Sequence, residues 1–371
     1  MQKKASWGWI IVLLVIASLA VAPAFGDQVA TKGKPGGGTK PERISHTARQ
    51  ERPIQLGTSG GSVVDLANGY CCSGTLGALV QDAAGTQYVL SNTHVFAGDS
   101  ALGGNGLFAS VGDPINQPGF VDVSCQNISA DYVASLTYWM PLIPGAVTPV
   151  DAAIAEVIPG AVDPAGRILE IGTIAADPVA AYLTQQVKKS GRTSGLTTGK
   201  VAGLNATVTV QYEDECAGNP FVTTFEGQIL VTPGKFLKAG DSGSLLVEKK
   251  STNPAAVGLL FAGSSQVAIA NPIQDVLAFL GVSMVGVETA GASGAAPLAA
   301  AVANASNVKN RHASRLASLP KAVGHAVGVA NGKPVIMLLV EQLTPEVQQA
   351  APVALDNVPV EIWEVGRIVA Y

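Results

Sequence analysis

Charged side chains are scarce in this sequence: Asp, Glu, Lys and Arg make up 13% of 371 residues, about half the usual share. What charge there is leans acidic, with a formal net charge of −4 and a pI near 5.6. A chain so poor in basic groups has little with which to displace counterions from phosphates, which excludes nucleic acid as its main partner. Aromatic residues are few, at 5%, and histidine occurs only four times. Hydrophobic residues nevertheless reach 47%, so disorder across the whole chain is excluded: there is ample apolar surface to bury. Despite a mean hydropathy of +0.32, only one segment is apolar for long enough to cross a bilayer.

That segment opens the chain. Lys3 and Lys4 precede an apolar run over residues 7–20, and Ala22-Pro23-Ala24 supplies small residues at cleavage positions. The pattern predicts a secretory signal over residues 1–24. The run over residues 7–25 nearly matches a bilayer span, which makes an uncleaved signal anchor the alternative and the one route to membrane attachment. Four cysteines remain after export: Cys71, Cys72, Cys125 and Cys216. An even number in an oxidising compartment predicts two disulfides, with three connectivities open. Adjacent Cys71 and Cys72 each need a distant partner. No Cys-x-x-Cys or neighbouring histidine supports zinc.

Residues 25–55, with Gly36-Gly37-Gly38, Pro35 and Pro41, read as a linker or short pro-segment that cannot build a core. Residues 56–285 read mostly as β: short Val/Ile/Thr/Leu-rich runs broken by Gly, Pro, Asn and Asp. The tract over residues 206–212 alternates as a half-buried strand does. A short helix follows near residues 271–280, with Ile273, Val276, Leu277 and Leu280 on one stripe. An Ala/Gly/Ser-rich linker over residues 286–306 leads into a helix that Pro320 ends. Residues 307–371 then read as a small α+β domain: two strands joined by Asn331-Gly332, a helix capped by Thr344 with Pro345 in its first turn, and a last strand over residues 358–365.

The chemistry concentrates in Gly240-Asp241-Ser242-Gly243-Ser244. Glycines around a serine let the chain turn sharply and let backbone N–H groups converge where an oxyanion would form. Ser242 is the candidate nucleophile, and the N–H groups of Gly240 and Ser242 are the candidate oxyanion donors. A serine hydroxyl needs a base. His46 falls in the linker and His312 and His325 in the last domain. That leaves His94, presented at the end of an apolar strand by Leu-Ser-Asn-Thr-His-Val. The base needs an orienting carboxylate. Asp151, among small and apolar neighbours, requires a partner if buried. Asp131 and Asp122 are its rivals, while Asp163 and Asp177 precede prolines and read as turn residues.

The chain order His, Asp, Ser resembles that of trypsin/chymotrypsin-like serine proteases and differs from subtilisins and α/β-hydrolases. The resemblance covers residues 58–280 and is closest to bacterial trypsin-like peptidases. Their patterns look like Cys-Ser-Gly-Thr-Leu-Gly at residues 72–77, Leu-Ser-Asn-Thr-His-Val at 90–95, Lys-Ser-Gly-Arg-Thr-Ser-Gly-Leu-Thr at 189–197 and Gly-Leu-Leu-Phe-Ala-Gly at 258–263. It implies a mainly β fold of two six-stranded antiparallel barrels, with His94 and Asp151 on the first and Ser242 on the second. Asp241 shapes the serine loop in such proteins, and Arg192 reads as structural. Phe236 stands where trypsins carry a pocket aspartate, so a small or apolar side chain is expected before the scissile bond. Phe261 and Gly263 are expected in the pocket wall and against the substrate backbone. There is no Ile/Val-Val-Gly-Gly start after a cut site; Arg52-Pro53-Ile54 replaces it poorly. The expectation is a secreted serine endopeptidase acting on protein or peptide substrates without metal or organic cofactor. The alternative is a silent binding protein on the same scaffold, with the C-terminal domain as an interaction or inhibitory module. Glu213-Asp214-Glu215 reads as a solvated turn in preference to a calcium site.

Overall fold

The computed structural model describes residues 44–370 except 65, 68–69, 99–107, 213–219 and 289–297. The expected signal and most of the expected linker lie outside the described residues. Among the described residues no helix is long and apolar enough to cross a membrane.

Strands β1 (Thr58–Ser62), β2 (Gly74–Leu76), β3 (Ala78–Gln81), β4 (Gln87–Ser91), β5 (Pro114–Asn116), β6 (Tyr132–Trp139) and β7 (Ala153–Val157) form the first barrel. β2 and β3 are one strand bent at Gly77, whose N–H still reaches Leu90 O at 2.9 Å. Counted so, six strands close in a ring. β1 pairs with β2 and β5, β5 with β6, β6 with β7, β7 with β4, and β4 with β3, all antiparallel. Glycine is required at the bend, because a Cβ on Gly77 would stand 1.9 Å from the carbonyl oxygen of Gly243. The serine loop therefore packs directly on the first barrel.

The second barrel closes the same way. β8 (Gln186–Gly191), β9 (Gly195–Tyr212), β10 (Phe221–Thr232), β11 (Leu245–Glu248), β12 (Ala256–Gly263) and β13 (Ala268–Pro272) run antiparallel in the order β9, β8, β11, β12, β13, β10 and back to β9. Closure leaves no long unpaired edge and makes a rigid support for side chains between the barrels. In β9 the alternation of residues 206–212 buries Ala206, Val208, Val210 and Tyr212. Helix Ile273–Leu280 buries the four expected residues and stops at Gly281, in the left-handed conformation (φ 68°). Its buried face joins the core shared by the first barrel and by Leu245, Val247, Ala256 and Leu259 of the second. This is a chymotrypsin-like double barrel.

Two expected boundaries need correction. The linker does not extend to residue 55: His46 is buried, with Nδ1 2.7 Å from Gly57 O and Nε2 2.9 Å from Glu170, and Ile54 lies in the first core. Ile54 also makes a parallel bridge to Val162, with its N–H donating to Ala161 O at 2.9 Å. Nor is the C-terminal α+β unit separate. Its strands β14 (Ala322–Ala330), β15 (Lys333–Val340) and β16 (Val358–Glu364) extend the second-barrel sheet, because β14 pairs with β9 between Gly203 and Val208. Register shifts at Gly203 and Ala206 bend β9, so one long strand serves both the barrel and the added sheet. Met337, Leu339, Val365 and Ile368 share a core with Val208, Tyr212 and Phe261. The local readings in this unit hold: Asn331 and Gly332 both take positive φ, and the Thr344 hydroxyl accepts from Val347 N.

Cys71 is bonded to Cys125. Cys72 is also disulfide-bonded, and Cys216 lies outside the described residues.

Candidate active site

The short helix Thr93–Phe96 follows β4 directly and places His94 at the mouth of the first barrel. Asp151 arrives from the turn before β7 and is fully buried. Its carboxylate is satisfied on both oxygens. Oδ1 accepts from the backbone N–H of Thr93 at 2.7 Å and of His94 at 3.3 Å. Oδ2 lies 2.6 Å from His94 Nδ1 and accepts the Tyr212 hydroxyl at 2.8 Å. The turn itself is pinned by two amides: Asn92 Nδ2 donates to Asp151 O at 2.7 Å, and Asp151 N donates to Asn271 Oδ1 at 3.1 Å. A buried carboxylate is costly unless it is paired and hydrogen-bonded, and here each partner also fixes its direction. With Nδ1 engaged by Asp151, Nε2 is the ring nitrogen on the side away from the carboxylate.

Tyr212 is the participant that sequence reading missed. It closes β9, is fully buried, stacks on Phe221 at 4.8 Å between ring centroids and meets the His94 ring edge-on at 5.8 Å. Burial first, and then the charge of Asp151, pushes its hydroxyl well above the ordinary tyrosine value. It therefore stays a donor. The alternating pattern of residues 206–212 marked it as inward-facing, but nothing local linked it to a carboxylate in the other barrel.

The serine loop is held from both sides. Thr75 N donates to Ser242 O at 2.8 Å, and Thr75 Oγ1 donates to Gly240 O at 2.9 Å. Asp241 is the anchor: its carboxylate accepts from the N–H groups of Thr193, Ser194 and Lys238 at 2.9–3.0 Å and pairs with fully buried Lys189 at 3.0 Å. Burial lowers the Lys189 ammonium from its ordinary value, against the pull of Asp241. Ser242 Oγ donates to the carbonyl of Phe261 at 3.1 Å. Among the described residues, the N–H groups of Gly240 and Ser242 have no intramolecular acceptor. Gly240 has φ 88°, and a Cβ there would lie 2.6 Å from Thr193 Oγ1.

The rival aspartates have other work. Asp131 takes a bidentate pair from Arg49. Asp122 takes one from Arg192, which ties the first barrel to the β8–β9 hairpin of the second. Two substrate-contact expectations are corrected. The Phe236 side chain is in the second-barrel core with Val187, Val231 and Leu246, because the turn Gly234–Phe236 points it inward. The Phe261 side chain is likewise buried against Phe225 at 4.7 Å, which leaves its backbone carbonyl as the group facing the site. Gly263 ends β12 opposite Ala268. Among the described residues no group of three or more His, Cys, Asp or Glu side chains is placed to hold a metal ion; Glu213-Asp214-Glu215 falls outside them.

The model of the Nal1 C-terminal domain family matches residues 144–271, a span with Asp151 and Ser242 but without His94. No curated protein matches the chain. Solved structures similar to it include a glutamic acid-specific serine protease described as using a histidine triad in substrate binding. It is 20% identical, with a TM-score of 0.42, over 62% of this chain and all of that one. Thermobifida fusca protease A is 18% identical, with a TM-score of 0.41, over 63% of this chain and 99% of its own. Cellulomonas bogoriensis chymotrypsin is 19% identical, with a TM-score of 0.39, over the same two shares.

Proposed function

We propose that the chain is an exported serine endopeptidase. His94 takes the Ser242 proton as Oγ attacks a peptide carbonyl, and Asp151 holds the imidazole and stabilises its cation. The N–H groups of Gly240 and Ser242 receive the developing oxyanion. The His94 imidazolium then protonates the leaving amine, and water hydrolyses the acyl-enzyme by the same route. The observation that carries this reading is the fully buried Asp151 carboxylate, aimed by backbone and tyrosine donors at one nitrogen of a histidine. Phe236 in the core leaves no buried anion to receive a Lys or Arg head, which favours small or apolar side chains before the scissile bond. The Cys71–Cys125 disulfide supports an oxidising compartment.

The test is reaction of the purified protein with a fluorophosphonate probe, located by mass spectrometry. An adduct on Ser242 that disappears in His94→Ala supports the reading. One observation favours a silent scaffold instead: Ser242 is itself fully buried. Failure to label any variant of the folded protein decides for that reading.

Tyr212→Phe removes one donor from Asp151 and keeps the ring stack. A hydrogen bond to a charged group contributes about 1.5–3 kcal/mol; this one is made before the reaction as well as during it, so its loss is expected in the melting temperature, with kcat changed less than tenfold. The sign of the pH effect is fixed. A carboxylate with one donor fewer stabilises the imidazolium more strongly, so the acid limb of the pH–rate profile moves to higher pH. An unchanged acid limb would show that the hydroxyl only fills space.

A further inference from the structure

Strand β12 runs past the serine loop, and its edge is used residue by residue. Leu260 exchanges backbone bonds with Gly243 and Ser244. Phe261 O receives the Ser242 hydroxyl. Beyond it, where the serine loop has turned away, the edge is taken by the strand Val369–Ala370 from the end of the C-terminal unit. The pairing is antiparallel, Gly263 opposite Val369 and Ala262 opposite Ala370, so this segment runs toward Ser242. On its other side Val369 lies beside Gln211 in parallel register, next to the tyrosine that holds Asp151. The segment is delivered firmly. Val365 and Ile368 are buried in the core that contains Phe261, Gln211 N donates to Ile368 O at 3.0 Å, and Val365 N donates to Val340 O at 2.9 Å. Neither barrel needs Val369–Ala370 for closure.

We propose that the chain's own Val369–Ala370 is a resident inhibitor: it occupies the Ala262–Gly263 edge, where the substrate backbone is expected, and runs toward Ser242 as a substrate would. The inference rests on the endopeptidase reading for its catalytic consequence, but not for the binding itself. Backbone pairing supplies affinity in strand addition, and side chains at alternate positions supply selectivity. The occupant names the class: an uncharged peptide with a β-branched residue opposite Gly263 and a small one opposite Ala262. The buried state of Ser242 is then the closed state of an enzyme that carries its own competitor. A tethered segment acts at an effective concentration of about 1 mM. With an intrinsic Kd set roughly tenfold below that concentration, the edge would be free about a tenth of the time.

The test compares the full chain with Val369→Pro/Ala370→Pro, which removes two backbone donors, and with a chain lacking residues 369–371, which keeps both core anchors. The probe is a fluorescent acetyl-Ile-Val-Ala-Tyr peptide, titrated by anisotropy in the Ser242→Ala background so that catalysis plays no part. The altered chains are expected to bind it about tenfold more tightly than the full chain, in proportion to the freed edge. With Ser242 present they should react with fluorophosphonate about tenfold faster, a protection that added peptide restores. Equal peptide affinity in all three chains overturns the proposal. Tighter binding without any Ser242 labelling keeps the strand site and overturns the activity, so the two failures are told apart.

Discussion

Ser242→Ala should abolish peptide hydrolysis and leave the fold standing. Removing the nucleophile of such a triad costs about 10⁴- to 10⁶-fold in kcat, and what remains above the uncatalysed rate comes from the oxyanion donors and from binding. The stability cost is small by comparison. The lost hydroxyl makes one hydrogen bond, to Phe261 O, which contributes about 1 kcal/mol. The loop does not depend on it. Asp241 is fastened to Lys189, Thr193 and Ser194, and the backbone of Ser242 and Gly240 is held by Thr75. The measurement is kcat on a broad peptide library, together with thermal melts of both proteins, made in the Val369→Pro/Ala370→Pro background so that the edge is open. Hydrolysis within tenfold of the parent, with equal melting temperatures, would assign the activity to another residue and remove Ser242 from the chemistry.

What could be read in the sequence is what local physics decides. The glycines of residues 240–243 announce a turn, the polar end of β4 announces a presented histidine, and Thr344-Pro345 announces a capped helix; each needs only its neighbours. Asp151 was legible because a carboxylate among alanines and valines needs a partner wherever it folds. Tyr212 was not, because its partner sits 61 residues away in the other barrel, and bulges in β9, invisible in a hydrophobic pattern, decide where that strand ends. His46 was misplaced for a related reason. Its surroundings are polar and basic in sequence, yet Gly57 O and Glu170 meet it from two other segments. Phe236 shows the opposite error. Counting six residues back from the serine placed it in a pocket, whereas the short turn ahead of Leu237 rotates it into the core.

Asp151→Asn should cost nearly as much as loss of the serine, and by a route that this site makes specific. The four groups facing the carboxylate are not equivalent. The N–H groups of Thr93 and His94 are fixed donors on Oδ1, so an asparagine must place its carbonyl oxygen there and its NH2 toward His94 and Tyr212. The Tyr212 hydroxyl adapts by rotating to accept. The imidazole adapts only by becoming the acceptor at Nδ1, which puts its proton on Nε2, the nitrogen that must receive the Ser242 proton. Size and packing are nearly unchanged, so the melting temperature should stay close to that of the parent. Meanwhile kcat falls by about 10⁴, the loss that follows from the wrong tautomer. Fluorophosphonate labelling slows in parallel, because it needs the same base. The tautomer itself is observable: the ¹⁵N shifts of His94 should interchange between Nδ1 and Nε2. If Asp151→Asn keeps activity within tenfold and the shifts do not interchange, the buried carboxylate is part of the scaffold and the base is held by something else. If kcat collapses with the shifts exchanged, the fixed donors on Oδ1 are the reason that an amide cannot stand in for the acid here.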